Sequence, residues 1–389
     1  MARYRRSGYP VRLGRPRRII RLVHSPLLDE ERRGLVDDVR RFALEELADP
    51  GYADREEGGE FWHEGWRKCA AKGLCGLPVP QELGGAGADR VTTAAALEAL
   101  GYGCVDAGLV FSINAHLWSA VVPLWRHGSD DQRERFLPRL ARGEVVGLHA
   151  MTEPDSGSDA FALRTVAEPD GAGHVLRGRK TLITNTPVAR LYIVFARAPA
   201  TEGALGVSAF LVEAGAAGVS TGEPTEKMGL RTSPMADLVL DDVYVGPEAV
   251  LGKPGRGARV FASSMEWERL LIMAAQLGAL DRALEEEVAA ARHSKRSAFG
   301  LEPNNDVLVD VRVALDAARA LLYETAWSYD HGETRASRAA AVKLFASETV
   351  LRAALDMSDG RRLRDAVGGR LYSGTSQLMR RIVARDLGL

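Results

Sequence analysis

The sequence predicts an α+β fold with helices at both ends and a sheet between them, and three observations predict it. From Ser25 to about Arg142 apolar residues recur every three or four positions, as in DEERRGLVDDVRRFALEEL. Between about Glu144 and Gly252 the pattern shortens to alternating or β-branched runs, VVGLHAM, HVLRGRKTLIT, RLYIVFARA, GVSAFLVEA and DLVLDDVYV. Here Asp170-Gly171 in EPDGAGH signals a hairpin. From about Gly257 onward the helical period returns in alanine-rich segments around 263–291, 306–330 and 335–357, the pattern of a bundle. The expected divisions are a basic extension over 1–24, an N-terminal α unit over 25–143, a central antiparallel β unit over 144–252 and a C-terminal helical bundle over 253–389. Proline and glycine in PVPQELGGAGAD, Pro78 to Asp89, predict a turn or a site-facing loop inside the first helical unit.

Composition sets outer bounds on function. With 51 basic and 52 acidic residues among 389, and a net charge of −1, neither a nucleic acid nor an anionic membrane surface is expected as principal partner. The three cysteines, Cys69, Cys75 and Cys104, have no metal-ligand spacing; they read as buried thiols in a reducing compartment, which points to the cytoplasm. Residues 1–24 carry eight arginines and no acid, but no apolar core follows them, so they are expected to be a disordered extension, or the product of a start codon set too early, and not a secretory signal. No run is expected to reach the length of a membrane span.

Three stretches carry chemistry. In SSMEWERLLIMAAQLGAL a helix would set Glu268 on one face with Leu271, Ile272 and Ala275, while Glu266 would look toward Arg269, Leu270 and Met273. Two helix starts fit: Ser263 with Glu266 as a capping box, or Pro254 to Gly257, which would leave Glu268 too deep for a dipole role. MTEPDSGSD, Met151 to Asp159, follows a strand-like run; its small residues allow close backbone approach, and Thr152, Ser156 and Ser158 supply hydroxyls. GRKTLITN sets Thr184 at a strand end.

Taken in order, MTEPDSGSD, LRGRKTLITN, KMGLRTSPMADLVLDDVYV, the RSAFG of Arg296 to Gly300, and RDAVGGRLYSGTSQLMRRIVAR resemble the acyl-CoA dehydrogenase family from about Leu27 to Leu389. The resemblance implies that family's fold, with a C-terminal four-helix bundle. It also implies an FAD enzyme that removes an α-proton and a β-hydride from an acyl thioester. Met151, Thr152 and Ser158 would belong to the loop cradling the flavin, with Leu182 and Thr184 beside its ring and Gly374 and Thr375 approaching it. Arg296 and Phe299 would reach the adenosine diphosphate part from a neighbouring subunit, so a dimer or tetramer is implied. Ser158, Glu266, Arg269 and Ser373 would face the substrate. An electron-transfer flavoprotein or oxygen would take the electrons.

Departures from the family pattern sharpen that reading. The usual base glutamate before Gly-Thr is replaced by Ser373, and a smaller set resembling isovaleryl-CoA and long-chain acyl-CoA dehydrogenases carries it instead on a helix, where this chain reads WERLLIMA. The base is therefore expected at Glu268. Leu182 stands where a tryptophan is usual and Val307 where a glutamine is, and roughly a dozen residues are missing between about Met357 and Arg364. The thioester tether is either coenzyme A or a carrier protein, since relatives with a helix-borne glutamate include enzymes acting on prolyl thioesters. Two alternatives stay open: an oxygen-activating flavin oxidase or N-hydroxylase of the same fold, and a non-catalytic homologue.

Overall fold

The computed structural model describes residues 27–198, 203–293 and 305–389. Seven helices come first: α1 (Glu30–Glu46), α2 (Tyr52–Gly58), α3 (His63–Ala71), α4 (Arg90–Gly103), α5 (Ala107–His116), α6 (Val122–His127) and α7 (Asp130–Ala141). Their starts are written locally. The carboxylates of Asp29, Asp89 and Asp106 each accept an amide of the first turn of α1, α4 and α5, and Ser129 with Gln132 forms a full capping box on α7. The proline- and glycine-rich stretch after Pro78 forms turns between α3 and α4, with Gly84 against Pro138 of α7.

One expectation about this unit needs correction. Through a π-helical turn at Leu117–Val121, α5 and α6 join into a single stretch, Ala107–His127, which by length and composition is long and apolar enough to cross a membrane. Its most apolar window is 83% buried inside the fold, so it serves as a core helix. The run escapes notice in the sequence because Asn114, His116 and Ser119 interrupt it; all three are buried.

Eight strands follow: β1 (Gly147–Ala150), β2 (Val166–Asp170), β3 (Gly173–Thr184), β4 (Leu191–Arg197), β5 (Val207–Glu213), β6 (Val219–Thr221), β7 (Met235–Val245) and β8 (Val250–Leu251). They lie in the order β6-β7-β3-β2-β4-β5-β8, with β1 beside β4. The sheet is mixed and not wholly antiparallel: β1 runs parallel to β4, and β2 touches β4 in parallel at one pair. The reason lies in β4, where Leu191 to Ala196 are all buried, the pattern of a strand covered on both faces. The hairpin at Asp170-Gly171 forms between β2 and β3, with Gly171 at φ 56°.

The C-terminal unit comprises α8 (Gly257–Leu271), α9 (Ala274–His293), α10 (Asn305–Asp330), α11 (Ala336–Asp356), α12 (Gly360–Gly368) and α13 (Ser376–Asp386). Helix α8 starts from Pro254 to Gly257, so Ser263 lies inside a helix and caps nothing. The stretch expected as one helix from 263 is two, broken at Ile272 and Met273. Beyond the break α9 lies backbone to backbone on α4: a Cβ at Gly101 would sit 1.9 Å from the Ala275 carbonyl oxygen, and one at Gly278 1.9 Å from that of Glu98. Only glycine permits both approaches.

A buried polar knot fixes this crossing. Arg319 of α10 donates to Glu98 of α4 (2.5 Å) and to Asp281 of α9 (2.8 Å), and Tyr323 donates its hydroxyl to the other oxygen of Glu98 (2.8 Å). Removing one partner would leave buried charge uncompensated, at about 3–5 kcal/mol. Arg319→Ala is therefore expected to lose stability of that order in denaturant unfolding followed by helical circular dichroism. A variant as stable as the parent protein would show that the knot is dispensable.

Candidate active site

Glu268 stands in the last turn of α8, and its two carboxylate oxygens meet different fates. Ser373, 105 residues away, donates its hydroxyl to Oε1 at 2.6 Å, while Oε2 is buried and has no hydrogen-bond partner among the described residues. Burial pushes the Glu268 carboxyl above its usual range, and the Ser373 hydrogen bond with the charges of Arg269 and Lys343 pulls part of the way back. A half-buried carboxylate with one oxygen buried and unpaired among the described residues is equipped to take a proton from a weak carbon acid.

The loop that brings Ser373 there is held from several sides. Arg269 Nε donates to the Ser373 carbonyl (3.1 Å), Lys343 Nζ to the Gly374 carbonyl (2.7 Å), and Gln276 Nε2 to the Tyr372 hydroxyl (2.6 Å). The Phe111 ring of α5 lies 4.6 Å from the Tyr372 ring. Ser373 and Gly374 turn the chain at φ 56° and 94°, and a Cβ at Gly374 would lie 2.8 Å from Met379 Cε. Thr375 caps α13, accepting the Leu378 amide at 3.2 Å. Lys343 is fully buried, and that burial, helped by Arg269, lowers its ammonium to about 8 against the pull of Glu268 and Glu348. Sequence reading missed Lys343, which sits in an alanine-rich helix with no local sign of function.

Glu266, expected to face substrate, faces elsewhere. Its Oε1 accepts from Arg90 Nη2 at 3.0 Å; Arg90 also pairs with Asp330 and lies over the Trp267 ring at 4.2 Å. Two residues of helix turn Glu266 away from Glu268 and toward α4 and α10, where it joins elements together. Arg269 is on the expected side, but its Nε serves the loop backbone.

The β unit supplies the second wall. The MTEPDSGSD loop is pinned from beneath by Glu153, which accepts the amides of Arg164 (2.6 Å) and Thr165 (3.1 Å) and the ammonium of fully buried Lys180 (2.7 Å). Burial lowers Lys180 to about 8 despite Glu153. Lys180 also reaches the Met151 carbonyl (3.3 Å), the Thr152 carbonyl accepts the Thr181 amide (2.9 Å), and Ser156 bonds the Asp159 carbonyl (2.7 Å). The side-chain hydroxyls of Thr152, Ser158 and Thr184 have no hydrogen-bond partner among the described residues. Beside Thr184, Leu182 projects outward, 56% exposed, at φ 56° where the β3–β7 register slips.

Helix α5 joins the two walls. Asn185 Nδ2, at the end of β3, donates to the Ser112 carbonyl (3.0 Å), and the adjacent Phe111 packs on Tyr372. The end of β3, with Thr184 beside Asn185, and the loop carrying Gly374, after Tyr372, thus both rest on one α5 turn at Phe111 and Ser112, and with the three unpaired hydroxyls the residues fit a flat heteroaromatic cofactor with a polar edge. Arg296 and Phe299 lie outside the described residues, as do residues 1–24.

The chain was compared with known proteins. Family models match in order: "acyl-CoA dehydrogenase, N-terminal domain" over residues 29–144, the middle domain over 149–243 and the C-terminal domain over 255–388. The chain is 36% identical over 340 residues to an L-prolyl-(peptidyl-carrier protein) dehydrogenase of Serratia sp., covering 83% of this chain and 88% of that protein. It is 32% identical over 395 residues to mitochondrial isovaleryl-CoA dehydrogenase of Oryza sativa subsp. japonica, covering 96% and 95%. Among solved structures, the prolyl acyl carrier protein oxidase AnaB superposes with a TM-score of 0.89 at 34% identity, covering 93% of this chain and 100% of that one. PigA with FAD and proline gives 0.89 at 32%, covering 93% and 98%.

The placement of Glu266 has a measurable consequence. Glu266→Gln removes a partly exposed ion pair, so stability should fall by no more than about 1 kcal/mol. Reduction of bound flavin by substrate should be unchanged within a factor of two or so; a hundredfold drop in that rate would return Glu266 to the substrate side.

Proposed function

The chain belongs to the acyl-CoA dehydrogenase family, and from that premise we propose that Glu268 is the base of an FAD-dependent α,β-dehydrogenation of an acyl or aminoacyl thioester. The single observation carrying this assignment is the divided carboxylate, with Oε1 satisfied by Ser373 and Oε2 buried and free. An oxygen-activating hydroxylase needs no such group, and a non-catalytic homologue gains nothing from burying it.

The cofactor is FAD, and its fit is tested by the unpaired hydroxyls of Thr152 and Thr184, the projecting Leu182 and the tight Gly374 turn. Met151, Thr152, Ser158, Leu182, Thr184, Gly374 and Thr375 would hold it, with Arg296 and Phe299 serving a neighbouring subunit in a dimer or tetramer. Bound FAD supplies the oxidant that accepts the β-hydride. The chain's own residues do the rest: Glu268 Oε2 takes the α-proton, Arg269 and Lys343 hold the loop, and the Trp118–Trp267 stack, with ring centroids 6.1 Å apart, shields the helix end from water. The domain divisions at 144 and 253 belong to this reading, since helix gives way to strand at Gly147 and returns at Gly257.

For the substrate we propose a thioester on a carrier protein, a prolyl group foremost, because two relatives at 36% identity carry that activity in their names. An electron-transfer flavoprotein or oxygen would accept the electrons. The free, buried thiols of Cys69, Cys75 and Cys104 suit a reducing compartment such as the cytoplasm.

The protein should purify yellow, and Glu268→Gln should retain its flavin. Anaerobic bleaching by prolyl-carrier and acyl-CoA thioesters should slow in that variant by about a hundred- to ten-thousand-fold, and equal bleaching of parent and variant would remove Glu268 from the role. In the parent, the rate of flavin reduction should rise with pH as Glu268 ionises, with its midpoint above the ordinary carboxylate range because burial raises that group. A profile flat from pH 4 to 8 would contradict a buried base.

A further inference from the structure

The loop residue facing Glu268 does more than line a cavity. Ser373 is held at a left-handed φ of 56°, a conformation that costs a non-glycine residue and persists only where the surroundings enforce it. What enforces it is visible: Arg269 grips the carbonyl of Ser373 itself and Lys343 that of the next residue. Half-buried Arg269 and buried Lys343 both use donors on backbone, and among the described residues neither forms an ion pair within 4.0 Å of Glu268. The strained turn aims one hydroxyl at one oxygen of one carboxylate.

We propose that Ser373 is a positioning residue for the base: its hydroxyl occupies Oε1 and fixes the carboxylate rotation so that Oε2 alone is presented to the substrate α-proton. This rests on Glu268 being the base. The step is balanced: the Cα–H bond breaks, its proton bonds Oε2, and the electron pair stays on the substrate for the oxidation already described. Ser373 loses no proton; its hydroxyl donates to Oε1 of the charged carboxylate before the transfer and stays on Oε1 once Oε2 carries the proton. The charged and titratable groups around Glu268 are Arg269 on its own helix, Lys343 on α11 with Glu348 behind it, and Tyr372 on the loop. Removing the Ser373 hydroxyl leaves all of these in place.

The test uses Ser373→Gly, since glycine adopts this φ without strain and the fold and loop keep their path. Parent, Ser373→Gly and Glu268→Gln holoenzymes are compared by two readouts. One is the pH profile of flavin reduction by a prolyl-carrier thioester; the other is the infrared titration of the carboxylic-acid band that Glu268→Gln lacks. A hydrogen bond to a charged group favours its ionised form, so both midpoints should rise in Ser373→Gly by about one pH unit. The limiting rate at high pH should fall about tenfold or more as the carboxylate loses its orientation, with FAD content unchanged. Unmoved midpoints and an unchanged limiting rate in Ser373→Gly, while Glu268→Gln remains inactive, would overturn the role of Ser373 and leave the base assignment standing. A Glu268→Gln variant that bleaches as fast as the parent protein would overturn both.

Discussion

The Glu268 carboxylate is half-buried beside two cations without being captured by either, and much of this structure serves that constraint. A direct ion pair with Arg269 or Lys343 would hold Glu268 ionised but would also make it a poor proton acceptor. The cations are present, because burying a lone negative charge is costly, yet their observed donors go to the carbonyls of Ser373 and Gly374. Their charge reaches the carboxylate through space while their hydrogen bonds build the loop. The same two side chains therefore set the electrostatic environment of Glu268 and the position of the residue that touches it.

That balance depends on packing far from the site. Glu268 is placed by α8, Lys343 by α11 and the loop by the turn between α12 and α13, so the bundle must hold these elements in register within a fraction of an ångström. Backbone contact at Gly101 and Gly278 and the Glu98–Arg319–Asp281 knot lock α4, α9 and α10 together. Arg90 then links α4 to α8 and α10 through Glu266 and Asp330. On the other side α5 couples the sheet to the bundle, with Ser112 holding Asn185 and Phe111 resting on Tyr372. An apolar stretch that matches a membrane span in composition works here as the spine between the two walls.

How much of this could be read from residues alone follows from the range of each interaction. The Asp170-Gly171 hairpin and the three-part order are local, and so were legible, while of the two starts open for α8 the structure takes the one at Pro254 to Gly257. Glu268 stands out in the sequence because a charge on an apolar face coincides with a serine, and no carboxylate, at 373. The parallel pairing of β1 with β4 was not legible, since it joins residues more than forty apart with no turn signal between them. Glu266 was misread because its partner Arg90 is 176 residues away, and Lys343 went unseen because its partner is a backbone carbonyl, which leaves no mark on composition. The break at Ile272 and Met273 falls inside an unbroken apolar period, where nothing local distinguishes one helix from two.

A base carried on a helix, as proposed for Glu268, also changes what the loop must do. A loop-borne glutamate needs its own backbone held firmly enough to aim a long side chain; a helix-borne one takes its aim from the helix, where the Glu268 carbonyl accepts the Ile272 amide at 2.8 Å and Trp267 packs between Trp118 and Trp125. The loop then needs to supply only a short donor, and serine suffices. This relaxed demand bears on the short segment between the two helices before it. Helices α11 and α12 are joined by just Met357, Ser358 and Asp359, with Ser358 at φ 56° and Asp359 capping α12 through the Arg362 amide at 2.9 Å. The link is a formed turn with its own cap, and α12 delivers Tyr372 to Gln276 and Phe111 across it. So short a link suffices there because Glu268 takes its aim from α8 and the loop is gripped by Arg269 and Lys343, and neither depends on the length of chain leading to it.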